Sequence, residues 1–238
     1  MGSTESGTES PGGAEATLAS DRVLLARTST AERVADILRT RIAEGLFAPG
    51  SRLSEEAIGG GLGVSRNTLR EAFRLLTHER LLVHELNRGV FVRVVTVEDL
   101  VDLYRVRRLV ECAVLRELGA PPYPLDGLAA AVAAGRRARR SEAWRELGTA
   151  NIRFHRELVA LAGSPRTDEL MRGVLAELRL VFQVMPDTRG FHEPYLVRND
   201  EILATLRAGD ARRAETLLAS YLRDSLGELS EAYARQLA

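Results

Sequence analysis

The sequence contains no lysine: all 33 of its basic residues are arginine. Arginine's planar fork suits phosphate and guanine, but a total absence of lysine is more simply a compositional bias than a functional sign. Cysteine is nearly absent too. Cys112 stands alone, which excludes an internal disulfide framework and any CxxC metal or redox motif. No apolar run approaches the roughly 18 residues needed to span a bilayer, and no basic-then-apolar start resembles a signal peptide. These absences make a cytoplasmic protein without a membrane partner the expectation. What is present is an ordinary globular composition over 238 residues, 45% hydrophobic and 28% charged, enough for one or two domains with a core.

A net charge of zero hides a segmented distribution. Residues 1–20 carry three acids and no base, residues 21–95 carry 12 Arg against 9 acids, and residues 96–238 carry 21 of each. The basic excess, three charges in one compact stretch, points weakly to an anionic partner there. Residues 1–22, rich in Gly, Ser, Thr and Glu, read as a disordered tail. From Thr30 the pattern is helical, with Val34, Ile37, Leu38 and Ile42 at three- and four-residue spacing and a stop at Gly45. A loop carrying Pro49-Gly50 follows. Ser54 caps a second helix weakened by Gly59-Gly60-Gly61, and Ser65 caps a third that runs to about His78. Two alternating apolar stretches, Leu81–Leu86 and Val90–Val94, join through Asn87-Arg88-Gly89 as a β-hairpin.

Helix, helix, tight turn, helix and hairpin make the layout of a winged helix-turn-helix domain over residues 23–95. The layout alone also fits a purely structural module. Residues 96–238 read as an all-α bundle of about six helices, near 96–118, 125–140, 142–162, 166–185, 195–208 and 211–236, with one break at Pro186–Pro194. The fold class is therefore mostly α, with the only strands in the N-terminal domain.

The third helix opens with Ser65, Arg66, Asn67, Thr68 and Arg70. Leu69, Phe73 and Leu76 face the small core, so Arg66, Asn67 and Arg70 project from the other side. A helix N-terminus attracts phosphate, and in the major groove Arg pairs with guanine and Asn with adenine. Arg88 and Gly89 at the hairpin tip are placed to reach the backbone or the minor groove of DNA. Read plainly, the same residues are a solvated helix face with a capping serine; their clustering at one helix end favours double-stranded DNA as partner. In the bundle, polar residues interrupt apolar stripes: Arg107 with Glu111, Asn151 with His155, Asn199, and Tyr221. Buried polar groups need partners, so these residues form either a small-molecule pocket or a self-satisfied network containing an Arg–Glu pair. No metal-ligand cluster, nucleophile–base pair or phosphate loop points to an enzyme.

The run ILRTRIAEGLFAPGSRLSEEAI followed by LGVSRNTLREAFRLL and NRGVFV resembles the DNA-binding domain of the GntR family of bacterial transcription regulators. RRLVE (107–111), FHREL (154–158) and EILATLRAGDARRAE (201–215) resemble the FCD ligand-sensing domain of its FadR subfamily. The resemblance implies a homodimer on a palindromic operator, dimerised mainly through the C-terminal helices, more often repressing than activating. It also implies an effector such as a carboxylate, which Arg107 would hold; the alternative is a helical domain that only dimerises. Many FCD domains hold a divalent metal, and the matching positions here are Asn151, His155, Asn199 and Tyr221. Only His155 is a good ligand for zinc, nickel or manganese, so no cofactor is expected, with His155 the ligand if a metal is held. His192 is expected to be exposed on a loop. The family's usual glycine is Arg80 here, so the junction before the hairpin is expected to be built differently.

Overall fold

A computed structural model describes residues 29–183, 185 and 188–237; the expected tail at 1–22 lies outside these residues. The chain opens with α1 (Thr30–Ala43). Ser29 and Glu32 form a reciprocal capping box, with Ser29 Oγ accepting from the Glu32 amide at 3.1 Å and Glu32 Oε2 accepting from the Ser29 amide at 2.6 Å. Val34, Ala35, Leu38 and Ile42 bury one face. The helix ends at Glu44, where Gly45 takes φ +81°.

Next come β1 (Arg52–Leu53), α2 (Glu55–Leu62), α3 (Arg66–His78), β2 (Leu82–Glu85) and β3 (Gly89–Val92). The three strands form an antiparallel sheet in the order β1-β3-β2. Two residues of the segment read from sequence as a loop thus supply a third strand, pairing Arg52 with Phe91 and Leu53 with Val90. A two-residue strand is too short to show alternation. Helix α2 forms despite its three glycines, capped by Ser54 and closed by Gly63 at φ +65°. Between α3 and β2, Arg80 adopts φ +58°, the left-handed conformation that glycine takes without penalty.

The remaining described helices are α4 (Val97–Glu117), α5 (Asp126–Arg140), α6 (Trp144–Ala160), α7 (Pro165–Gln183), α8 (Thr188–Arg207) and α9 (Ala211–Leu237). They match the six expected stretches except at α8. The break expected to reach Pro194 ends at Thr188, and Pro194 lies inside the helix. An interior proline costs about 3 kcal/mol. Against that cost, the segment buries Phe191, His192 and Tyr195, with Phe191 stacked on Phe182 and Tyr195 at centroid separations of 5.6 and 5.0 Å. His192, expected on an exposed loop, is therefore a buried helical residue.

One apolar cluster runs without interruption from Leu38 and Phe73 in the N-terminal part to Phe154, Leu178 and Leu218 in the bundle. Polar contacts reinforce the junction. Arg93, just after β3, reaches Asp99 of α4 at 2.6 Å and Glu177 of α7 at 2.5 Å. Tyr233 near the end of α9 donates to the Val95 carbonyl at 2.6 Å. The last carbonyls of α1, orphaned by the helix geometry, are capped from the bundle. Arg179 Nε donates to Ala43 at 3.1 Å, Arg145 Nη1 to Glu44 at 3.4 Å, and Gln183 Nε2 to Ile42.

Candidate functional site

Two places collect the residues singled out by sequence. At the first, Ser65 caps α3: its Oγ accepts from the Thr68 amide at 3.1 Å and lies 2.8 Å from Thr68 Oγ1. Arg66 and Asn67 are exposed on the first turn. Arg70 is also exposed but paired with Glu55 of α2 at 3.0 Å. At the hairpin tip Arg88 pairs with Glu85 and lies 5.4 Å from the centre of the Phe91 ring, while Gly89 adopts φ +109°. A Cβ at Gly89 would stand 3.2 Å from Arg52 Nε, so the exposed Arg52 accompanies the wing. Sequence reading missed Arg52 because its strand was not legible. Among the described residues Arg52 and Arg66 have no carboxylate partner, while Arg70 and Arg88 are held by surface carboxylates, pairs that a phosphate can displace at little cost.

The second place is the bundle interior, where α4, α6, α8 and α9 bring their polar residues together. Arg107 Nε donates to Glu111 Oε1 at 2.8 Å, and His155 Nδ1 lies 2.6 Å from Glu111 Oε2. Burial opposes ionisation of all three groups. For Glu111 the adjoining Arg107 and His155 prevail and hold its pKa below the usual carboxylate range. Arg107 is raised by the same carboxylate despite its burial. For His155, burial prevails over Glu111 and the pKa falls. The result is an ionised pair beside a neutral imidazole. An ionised carboxylate only accepts, so Nδ1 carries the proton and Nε2 presents a lone pair.

Beside this triad, Asn199 Nδ2 donates to Asn151 Oδ1 at 2.7 Å, and the Tyr221 hydroxyl donates to the same oxygen at 2.9 Å. The His155 and Tyr221 rings meet edge-on, 4.9 Å apart. The pairing of Glu111 with His155 joins residues 44 apart, beyond any helical periodicity. Several buried polar atoms here have no partner among the described residues: Arg107 Nη2, His155 Nε2, Asn199 Oδ1 and His192 Nδ1. The space between Asn151, His192 and Asn199 amounts to a cavity of about 10 Å³, the room of a single water. Gly148 packs under His192, where a Cβ would come within 2.7 Å of Nε2.

This donor set does not fit a divalent metal. Of Asn151, His155, Asn199 and Tyr221, only His155 offers a strong ligand atom, Nε2; Asn151 Oδ1 already accepts two hydrogen bonds, and Tyr221, whose pKa burial raises, is a neutral phenol. No group of three or more His, Cys, Asp or Glu side chains comes together among the described residues.

Residues 30–92 match the family model described as bacterial regulatory proteins, gntR family, and residues 102–224 match the FCD domain. The second match alone spans more than half of the chain. The chain belongs to the GntR family. Its FCD domain places this GntR-family chain in the FadR subfamily. A solved structure of a GntR-type transcriptional regulator from Rhodococcus sp. RHA1 is 50% identical, covering 87% of this chain and 100% of that one with a TM-score of 0.84. The gluconate operon transcriptional repressor of Bacillus licheniformis is 38% identical over 95 residues, 40% of this chain and 39% of its own. The chain therefore spans about two fifths of the length of the gluconate repressors it matches. A protein described as the probable D-xylose utilization operon transcriptional repressor of Paenarthrobacter nicotinovorans is 26% identical over 206 residues, 83% of this chain and 88% of its own. Among the described residues no helix is long and apolar enough to cross a membrane.

Proposed function

We propose that this GntR-family protein is a cytoplasmic, homodimeric repressor that binds a palindromic operator and changes its operator affinity when a small anionic metabolite enters the bundle of residues 96–238. The division at residues 95 and 96 belongs to the proposal. In the reader domain, Arg66, Asn67 and Arg70 face base edges, Ser65 and Thr68 hold the first turn of α3, and Arg88 and Gly89 form the wing contact. The observation that carries the sensing half is the set of buried polar atoms without a partner among the described residues: Arg107 Nη2, His155 Nε2 and Asn199 Oδ1, from α4, α6 and α8. Leaving such atoms unpaired costs about 1–3 kcal/mol each, so a ligand that satisfies them binds with that advantage. Arg107 Nη2 is a donor for a carboxylate oxygen. His155 Nε2 and Asn199 Oδ1 are acceptors for hydroxyl groups. A hydroxycarboxylate presents both chemistries. Asn151 and Tyr221 then position Asn199 rather than contact a metal.

The test is fluorescence anisotropy on an operator duplex, with a panel of hydroxycarboxylates, for the natural protein and Arg107→Ala. An effector that changes operator affinity in the first and not in the second, with the fold of both intact, supports the reading. An equal response in both removes Arg107 from the site. The second reading, a bundle that only dimerises, is favoured by the small cavity and by the mutual bonding of Asn151, Asn199 and Tyr221. It predicts no change in melting temperature with any member of the panel.

A further inference from the structure

An opening larger than the cavity beside Asn151 and Asn199 lies where the reader meets the sensor. It is a cleft of about 710 Å³, bounded by the end of α1 and by α6 and α7, within the range of sites for drug-sized ligands. Ala43, Ile152, Leu175 and Ala176 give it an apolar lining, and five guanidinium groups stand around it: Arg39, Arg145, Arg156, Arg172 and Arg179. Against these stand two carboxylates, Glu44, already paired with Arg41 at 2.6 Å, and Glu146. Arg39 is matched by Glu79 and Arg156 by Glu157. Arg145, Arg172 and Arg179 have no carboxylate at ion-pairing distance among the described residues. Arg179 is half-buried and bonded only to the carbonyls of Ala43 and Arg145. Burial, and after it the neighbouring charge of Arg145, lowers its pKa.

Three uncompensated guanidiniums over an apolar lining are the complement of one chemistry. We infer that the cleft between the reader and the bundle binds an amphipathic anion, an apolar body ending in a carboxylate, with Arg145, Arg172 and Arg179 holding the charged end. The site is separate from the Arg107–Glu111–His155 cluster. Its occupant touches both parts of the chain. Arg145 and Arg179 also cap the last carbonyls of α1, so an anion that recruits them competes with the contact that seats α1 on the bundle.

The experiment is isothermal titration calorimetry of the full chain with 2-naphthoate, and with 2-naphthamide as its uncharged counterpart. The variants are Arg145→Gln, Arg172→Gln and Arg107→Ala. Arg145 and Arg172 are exposed, so their variants keep the fold, checked by circular dichroism. The expected result is saturable binding of naphthoate, weakened about tenfold or more for the amide and for each cleft variant, and unchanged in Arg107→Ala. Naphthoate and the amide binding alike, or naphthoate binding untouched by both cleft variants, overturns the inference. So does the absence of any naphthoate binding. Loss in Arg107→Ala alone moves the anion to the bundle interior and overturns it as well.

Discussion

His192 shows how much a single buried side chain can impose on the protein. It sits against Phe182, Phe191 and the bare face of Gly148. Burial, with the charge of Arg179 behind it, pushes its pKa down to about 3 from the ordinary 6.5. A histidine depressed in the folded state binds a proton more readily when unfolded. Its stabilising effect is therefore present above about pH 6.5 and is lost as pH falls toward 3, by roughly 1.4 kcal/mol per pH unit. His155, also depressed by burial, acts in the same direction. Chemical denaturation between pH 7 and 5 should show stability falling by about 2 kcal/mol for His192 alone. His192→Gln should flatten the profile. A slope identical in the variant would assign the effect elsewhere. Sequence did not reveal this residue, because its environment is made by α6 and α7 rather than by its own neighbours along the chain.

Secondary structure was most legible where local chemistry decides it. The caps at Ser54 and Ser65 and the stop at Gly45 mark helix ends that need no tertiary help. Pro194 was not legible, because the aromatic packing that holds α8 together across it is invisible in one dimension. The same holds for β1, whose two residues become a strand only against β3. In the candidate sites the split repeats. Spacing put Asn151 with His155 and Arg107 with Glu111, whereas the joining of the two pairs through Glu111 comes from the crossing of α4 and α6. The junction after α3 gives a direct check on local strain. Arg80 holds φ +58°, which costs a residue with a Cβ about 1 kcal/mol or more. Arg80→Gly should raise stability by up to about 1 kcal/mol, read as a shift in denaturant midpoint with unchanged slope. Ser65→Ala should lower it by about 1 kcal/mol through loss of the α3 cap.

The main apolar core runs continuously through the described residues of both parts of the chain, yet α4 leaves Leu109 63% exposed and Val101 39% exposed on its outer side. Leu109 and Val101 are the apolar side chains that this helix would offer to the proposed dimer. Leu109→Arg should shift the protein toward monomer in sedimentation velocity. It should also weaken operator binding, since two half-sites are then no longer read by one particle. On the operator itself, Arg66→Ala should lower affinity by about 1–3 kcal/mol and relax specificity at the base it reads. A dimer that persists in Leu109→Arg would place the subunit contact on another face.

The lone sulfhydryl of the chain lies in this same helix. Cys112 is buried next to Glu111, its pKa pushed up to about 11 by burial first of all. A thiol so placed is nearly inert while the helices stay closed and reacts only when they part. The rate at which a maleimide dye attaches to the native protein therefore times the breathing of the bundle. With only about 10 Å³ free beside Asn151 and Asn199, a metabolite must wait for that same breathing to enter. Once lodged across α4, α6 and α8 it should slow the dye, whereas an anion held in the outer cleft should leave the clock running at its original pace.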